Sequence, residues 1–356
     1  MNEMSSTPQT LASERQAALA AWALASLQLA DIPDHQHYRL AAASDDASFR
    51  RYFRATHLTR TTDSYIFVDA PPEKEDSGPF VQVQAMLARA GLAVPRVYRA
   101  DLVQGFMMLA DFGDILYLDM LAENQAAQIE MNYQAAFQGI RQMQAIPVAK
   151  HLPAYDEAKL RTEMALFTDW FLAQQLGLVV ESREQALLQR LFDTLVTTAL
   201  DQPQVFVHRD YHSRNLMVIA GEQPGIIDFQ DAVRGPLTYD LVSLLKDCYH
   251  RFPRPQVVNW VNETHQQWLQ SAPASPVDAA EFLRWFDLMG MQRHLKCAGI
   301  FSRLNLRDGK RRYLHDIPLV MAYIVEVCDL YPELSEIGDW LSERVLPRLG
   351  ALESGK

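Results

Sequence analysis

Cysteine is scarce in this chain, with Cys248, Cys297 and Cys328 the only three among 356 residues. An odd number, widely spaced in helix-like sequence, excludes a disulfide framework or a zinc site and predicts buried, reduced thiols. Positive charge is also in deficit. With 33 Lys and Arg against 44 Asp and Glu, the net charge of −11 argues against nucleic acid or an anionic membrane as a general partner. No apolar run is long enough to span a bilayer. The richest, residues 17–30, follows Glu3, Glu14 and Arg15, with no basic leader. It is therefore expected to be an amphipathic first helix carrying Trp22, Leu24, Leu27 and Leu29, not a signal peptide, in a cytoplasmic and monomeric protein. Internal repeats and low-complexity tracts are missing as well.

What is present is enough apolar sequence, 49%, for one large or two medium domains. Residues 49–56 and 64–69 are β-rich and separated by a polar turn. A helix is predicted over 79–90, with Phe80, Val83 and Leu87 on one face and Gly91 as its stop. Two further strands follow near 96–100 and 105–109. Beyond residue 115 the pattern is helical, at about 115–146, 156–176, 183–200, 238–249, 255–271, 278–301, 311–331 and 334–348. Short strands interrupt it within 204–231.

That interruption holds the most informative residues: VHRDYHSRNLMV (207–218) and GIIDFQD (225–231). Phosphoryl transfer needs a carboxylate to accept a hydroxyl proton and oxygen donors to hold magnesium. The order H-R-D-x-x-x-x-N followed by a second aspartate after a strand supplies them. Asp210 is the candidate base, and Asn215 with Asp228 the candidate Mg2+ ligands, oxygen donors suited to a hard cation. His208 reads as a brace for the loop. His212 stands inside the loop as a candidate substrate contact, and Asp231 as a partner for an acceptor sugar or a basic side chain. Asp240, in GPLTYDLVSLL, is expected to tie its helix to the loop from a first turn that favours a carboxylate. His35 and His37 lack a metal-ligating neighbourhood and read as loop residues.

These segments resemble the aminoglycoside-phosphotransferase-like kinases from about Leu40 onward. The resemblance implies an α+β, two-lobed protein-kinase-like fold, with a β-rich, nucleotide-binding N-terminal lobe (1–110) and a helical C-terminal lobe (111–356). It also implies ATP and Mg2+ as cofactors. SDDASFRRYFR (44–54), FVDAPPEKED (67–76), GFMMLADFGD (105–114) and the stretch 291–318 are similar to the bacterial anomeric kinases of cell-wall recycling. Those enzymes phosphorylate N-acetylmuramate and N-acetylglucosamine at the anomeric hydroxyl, and the resulting sugar 1-phosphate feeds UDP-sugar synthesis.

Two family parts are missing. No G-x-G-x-x-G joins the first strands, where residues 44–48 stand instead, and no lysine lies on 64–69. Arg50, Arg51, Arg54 and Lys74 are the cations left for the nucleotide phosphates. Strand alternation puts Arg50 and Arg54 on one face and Arg51 on the other, leaving open which set meets the nucleotide. Met108 and Ala110 are expected against the adenine. Residues 291–312 carry seven Lys and Arg against Asp308 alone. This suits an anionic acceptor such as the lactyl carboxylate of N-acetylmuramate, with Arg293 and Arg303 as candidates; a basic face paired with acidic neighbours is the plainer account. The alternatives are kinases of other small hydroxyl acceptors (an aminoglycoside, choline, ethanolamine, homoserine, a fructosamine) and a nucleotide-binding pseudokinase scaffold. A nucleic-acid binder is opposed by the charge and the poor aromatic interleaving.

Overall fold

The computed structural model describes residues 8–45, 49–123, 125–147, 152–221, 223–271 and 277–353. The chain divides into two compact units. The smaller comprises Met1–Asp114, Met217–Gly221 and Gly225–Asp231. It contains α1 (Pro8–Leu29), β1 (Tyr38–Asp45), β2 (Arg51–His57), β3 (Ser64–Asp69), α2 (Gly78–Arg89), β4 (Val97–Asp101) and β5 (Phe106–Ala110). The strands form one antiparallel sheet in the order β1-β2-β3-β5-β4.

Register decides what each face of this sheet carries. Phe53 lies opposite Phe67, which lies opposite Met108. Cross-strand partners share a face. This one is covered by Leu19, Ala23 and Leu27 of α1 in a single apolar cluster. Arg54, Ile66 and Leu109 follow one another on the opposite face. The first helix forms and buries Leu27, with Trp22 half-buried, but Leu24 and Leu29 are exposed and do not join the packed face. β1 was not anticipated: YRLAAASD is Ala-rich, and only pairing with β2 makes it a strand. Residues 46–48, at the position of the missing glycine loop, lie outside the described residues.

The larger unit comprises Ile115–Leu216, Glu222–Pro224 and Ala232–Lys356. The expected helix over 115–146 is two, α3 (Tyr117–Glu123) and α4 (Ala126–Gln144). Then come α5 (Glu157–Leu166), which continues into a π-helical stretch (Phe167–Gln175), and α6 (Ser182–Asp201). β6 (Gln204–Val207) leads into the candidate loop, and β9 (Val233–Pro236) returns antiparallel to β6; β7 (Leu216–Met217), whose second residue is counted with the smaller unit, pairs with β8 (Gly225–Ile226) of that unit. The remaining helices are α7 (Tyr239–Leu245), α8 (Arg254–Ser271), α9 (Ala279–Asp308), α10 (Ile317–Leu330), α11 (Ser335–Trp340) and α12 (Leu346–Glu353). No described helix is long and apolar enough to cross a membrane.

The centre of this unit is α9, 30 residues long. The Asp278 carboxylate accepts the Glu281 amide at its start, and Gly309, at φ 68°, ends it. It packs on α5, α6, α7, α8 and α10. Gly299 permits the tightest of these approaches. A Cβ there would lie 2.3 Å from the Leu166 carbonyl carbon, which is backbone and cannot rotate away. Gly299→Ala is therefore expected to destabilise the protein by about 1–3 kcal/mol in chemical denaturation. Unchanged stability would show that α9 can move off α5.

Candidate active site

β6 ends at Val207 and hands the chain to a loop held from below by α7. The Asp240 carboxylate accepts the backbone amides of His208 (2.7 Å) and Arg209 (3.0 Å). This is the tie expected from its place in the first helical turn. Arg209 sits at φ 80°, a left-handed conformation costing a side-chain-bearing residue about 1–3 kcal/mol. Three contacts hold it there. Its amide meets Asp240, its guanidinium donates to Glu163 Oε1 at 2.6 Å, and its carbonyl accepts from Ser243 Oγ at 3.2 Å. The Asp210 amide donates to His208 Nδ1 at 3.3 Å, so buried His208 braces the loop as anticipated.

Asn215 closes the turn. Its backbone amide donates to the His212 carbonyl (2.8 Å), and its side-chain nitrogen donates to the Asp210 carbonyl (2.9 Å). Ser213 is anchored to Asp247 through both amide and hydroxyl.

Asp210 is half-buried. Burial pushes its carboxyl up, but Lys296, His212, Arg209 and Arg293 together hold it well below the ordinary carboxylate range. Lys296 reaches from α9 to donate to the Tyr239 hydroxyl at 3.1 Å and lies 3.7 Å from Glu163. Glu163 also accepts from Tyr155. Against its own burial, Lys296 and Arg209 keep it ionised. Neither Glu163 nor Lys296 was singled out from sequence. Lys296 stood unmarked within the basic run, and nothing local distinguishes Glu163 on α5.

The basic run itself divides. Arg293 and Lys296 are buried, whereas Arg307, Arg311 and Arg312 are exposed. Arg303 is half-buried beside Arg307 and Asp308. Ten positions separate it from Arg293, about 15 Å along a helix, so the two do not act on one group. His212 is buried, edge-on to the Tyr249 ring at 5.5 Å.

In the smaller unit, Asp228 adopts φ 62°, a second left-handed position, and accepts from the Gln230 side chain at 2.7 Å. Phe229 is buried against Phe80, ring centroids 4.8 Å apart, and so fixes the aspartate's backbone. Asp231 is exposed. Among the described residues no cluster of three or more His, Cys, Asp or Glu could hold a metal by itself. An amide oxygen and a carboxylate nonetheless suit Mg2+, which keeps several waters and takes its other ligands from phosphate.

Two nucleotide expectations, at Met108 and Arg51, need correcting. Met108 is fully buried in the cluster under α1, so its side chain cannot lie against an adenine. Arg51 belongs to the same face and is bound, with Arg15 of α1, to Asp69. Arg54 is on the other face but spans Asp111 (2.6 Å) and Asp114 (2.6 Å), pinning the chain after β5. Arg50 is buried, 3.4 Å from Glu75. Ala110 donates its amide to the Arg96 carbonyl at 2.9 Å. Sequence alternation could not foresee these ion pairs, because their acids lie on other strands and loops.

The chain matches the model of the phosphotransferase enzyme family over residues 39–286, well over half its length. It belongs to that family. A protein of Pseudomonas aeruginosa named N-acetylmuramate/N-acetylglucosamine kinase is 46% identical to this phosphotransferase over 303 residues, 85% of this chain and 88% of the relative. One of the same name from Neisseria meningitidis is 37% identical over 336 residues, 93% and 96% of the two chains. Among solved structures, an ethanolamine kinase of Plasmodium vivax is similar with a TM-score of 0.62 and 10% identity, covering 94% of this chain and 93% of that one. At such identity the likeness speaks to fold alone, and that fold is the expected kinase-like α+β arrangement.

The phosphotransferase loop carries its own pH dependence. Burial and nearby Asp210 push the Asp240 carboxyl up to about 7, against the pull of the His208 and Arg209 amides. A raised carboxylate pKa means that the folded chain holds the extra proton between about pH 4 and 7. The stability from that proton is complete below about 4 and is lost as pH rises through 7. Activity runs the other way, since only ionised Asp240 accepts at both oxygens. Asp240→Asn is expected to lower kcat about 10- to 100-fold and to abolish an acid limb near pH 7. A retained limb in the variant would assign it to another group.

Proposed function

We propose that this phosphotransferase is an ATP- and Mg2+-dependent sugar kinase. It transfers the γ-phosphoryl group to the anomeric hydroxyl of N-acetylmuramate and N-acetylglucosamine, giving sugar 1-phosphates in cell-wall recycling. The observation that carries the reading is the clamped, ionised Asp210. The names of relatives 37–46% identical over most of both chains support the sugar as acceptor. The need for ATP and three buried free cysteines fit a cytoplasmic enzyme.

A carboxylate held so acidic is a weak base. That is tolerable here because an anomeric hydroxyl is more acidic than an ordinary alcohol. The transition state is also loose, so most catalysis is positioning and charge stabilisation. Asp210 orients the hydroxyl and takes its proton late. Asn215, in the larger unit, and Asp228, in the smaller, are each a residue that would hold Mg2+, a cation that would neutralise charge on the phosphate oxygens. The N-terminal region (1–110) takes the nucleotide and the helical region (111–356) the acceptor.

Phosphorus NMR of the product from N-acetylmuramate is expected to show a phosphate on the anomeric oxygen; transfer to another hydroxyl rejects the acceptor assignment. Asp210→Asn should lower kcat by at least about 100-fold with nucleotide affinity retained, and near-normal turnover would remove the base. Asp228→Ala should weaken Mg2+-nucleotide binding itself, measured by calorimetry with and without the metal. Unchanged affinity counts against the ligand role.

A further inference from the structure

Arg293 is 3% exposed, yet among the described residues it has no carboxylate within ion-pair distance. Its Nη1 touches Cys248 Sγ at 3.5 Å, a weak acceptor, and its Nε has no hydrogen-bond partner. The other buried cation on this helical stretch, Lys296, is satisfied by Tyr239 and Glu163. No ion pair offsets the burial of this guanidinium, and Asp210 acts on it only from beyond ion-pair distance, so a ligand carboxylate would complete the pair. A second orphan lies nearby. His212 is 9% exposed, its Nδ1 has no partner, and its ring rests on Tyr249, the neighbour of Cys248. The charges of Arg293, Asp210 and Asp247 all reach it.

We infer that Arg293, with His212 beside it, is the receptor for a carboxylate carried by the acceptor, the guanidinium fork taking its two oxygens. The assignment rests on the amino-sugar reading above and narrows it. Of the two proposed sugars, only the acid form meets this site, and the neutral one leaves the guanidinium without its partner. Arg303 also has a buried Nε without a partner, but it is only half-buried, lies beside Asp308 and stands about 15 Å along α9 from Arg293. The other anion with the same chemistry is the phosphoryl group in transfer, and the test separates the two.

The probes are N-acetylmuramate and its neutral methyl ester, which keeps the ring, the acetamido group and the bulk. By calorimetry the wild type is expected to bind the acid about 10- to 100-fold more tightly than the ester. Arg293→Gln should bind the two equally, and Arg293→Lys should recover part of the preference. Equal binding of acid and ester by the wild type overturns the inference, and this comparison requires no variant to fold. It is also overturned if Arg293→Gln keeps the preference while losing kcat on both sugars, which would assign the arginine to the transferred phosphoryl group. Absence of turnover of both sugars by the wild type defeats the amino-sugar reading separately. An acid-over-ester preference in that same protein would still establish the anion receptor.

Discussion

The candidate loop depends on one carboxylate accepting two consecutive backbone amides. Without Asp240, the amides of His208 and Arg209 would be buried donors lacking an acceptor, each worth about 1–3 kcal/mol. Arg209 would have no reason to hold its left-handed backbone. The direction of the Asp210 side chain follows from that backbone, and the Asn215 amide then locks onto the Asp210 carbonyl. The chain of dependence runs from a helix's first turn to a strained residue, then to the orientation of a single carboxylate.

Around this clamp the larger unit arranges charge in a sequence of alternating sign. Arg209 and Lys296 share Glu163, and both also act on Asp210. Removing one member of such a buried set leaves another charge uncompensated, a loss of about 3–5 kcal/mol. The network therefore serves two ends together. It stabilises the packing of α5 against α9, and it keeps the proposed base in its charged form throughout the physiological range.

Much of this was legible in sequence where chain geometry is local. Asp210, Asn215 and Asp240 announce themselves because their spacing from a strand end or a helix start is set by a few residues. The first helix, and α2 with its glycine stop, were legible for the same reason. What could not be read depends on distant partners. β1 is a strand only because β2 supplies its hydrogen bonds. Glu163 matters only because α5 passes Arg209. Arg51 and Met108 looked like nucleotide contacts until the register turned both toward α1. The basic run read as one patch, but burial separates Arg293 and Lys296 from the solvated arginines beyond them.

The pairing at Asp69 has a consequence for the leading helix. This fully buried carboxylate, near the place where related kinases carry a lysine, receives guanidinium groups from Arg51 on the neighbouring strand and Arg15 on α1. The helix is thus both a greasy lid and half of a counter-ion. A shortened version beginning at β1 would inherit the anion without its second neutralising arm.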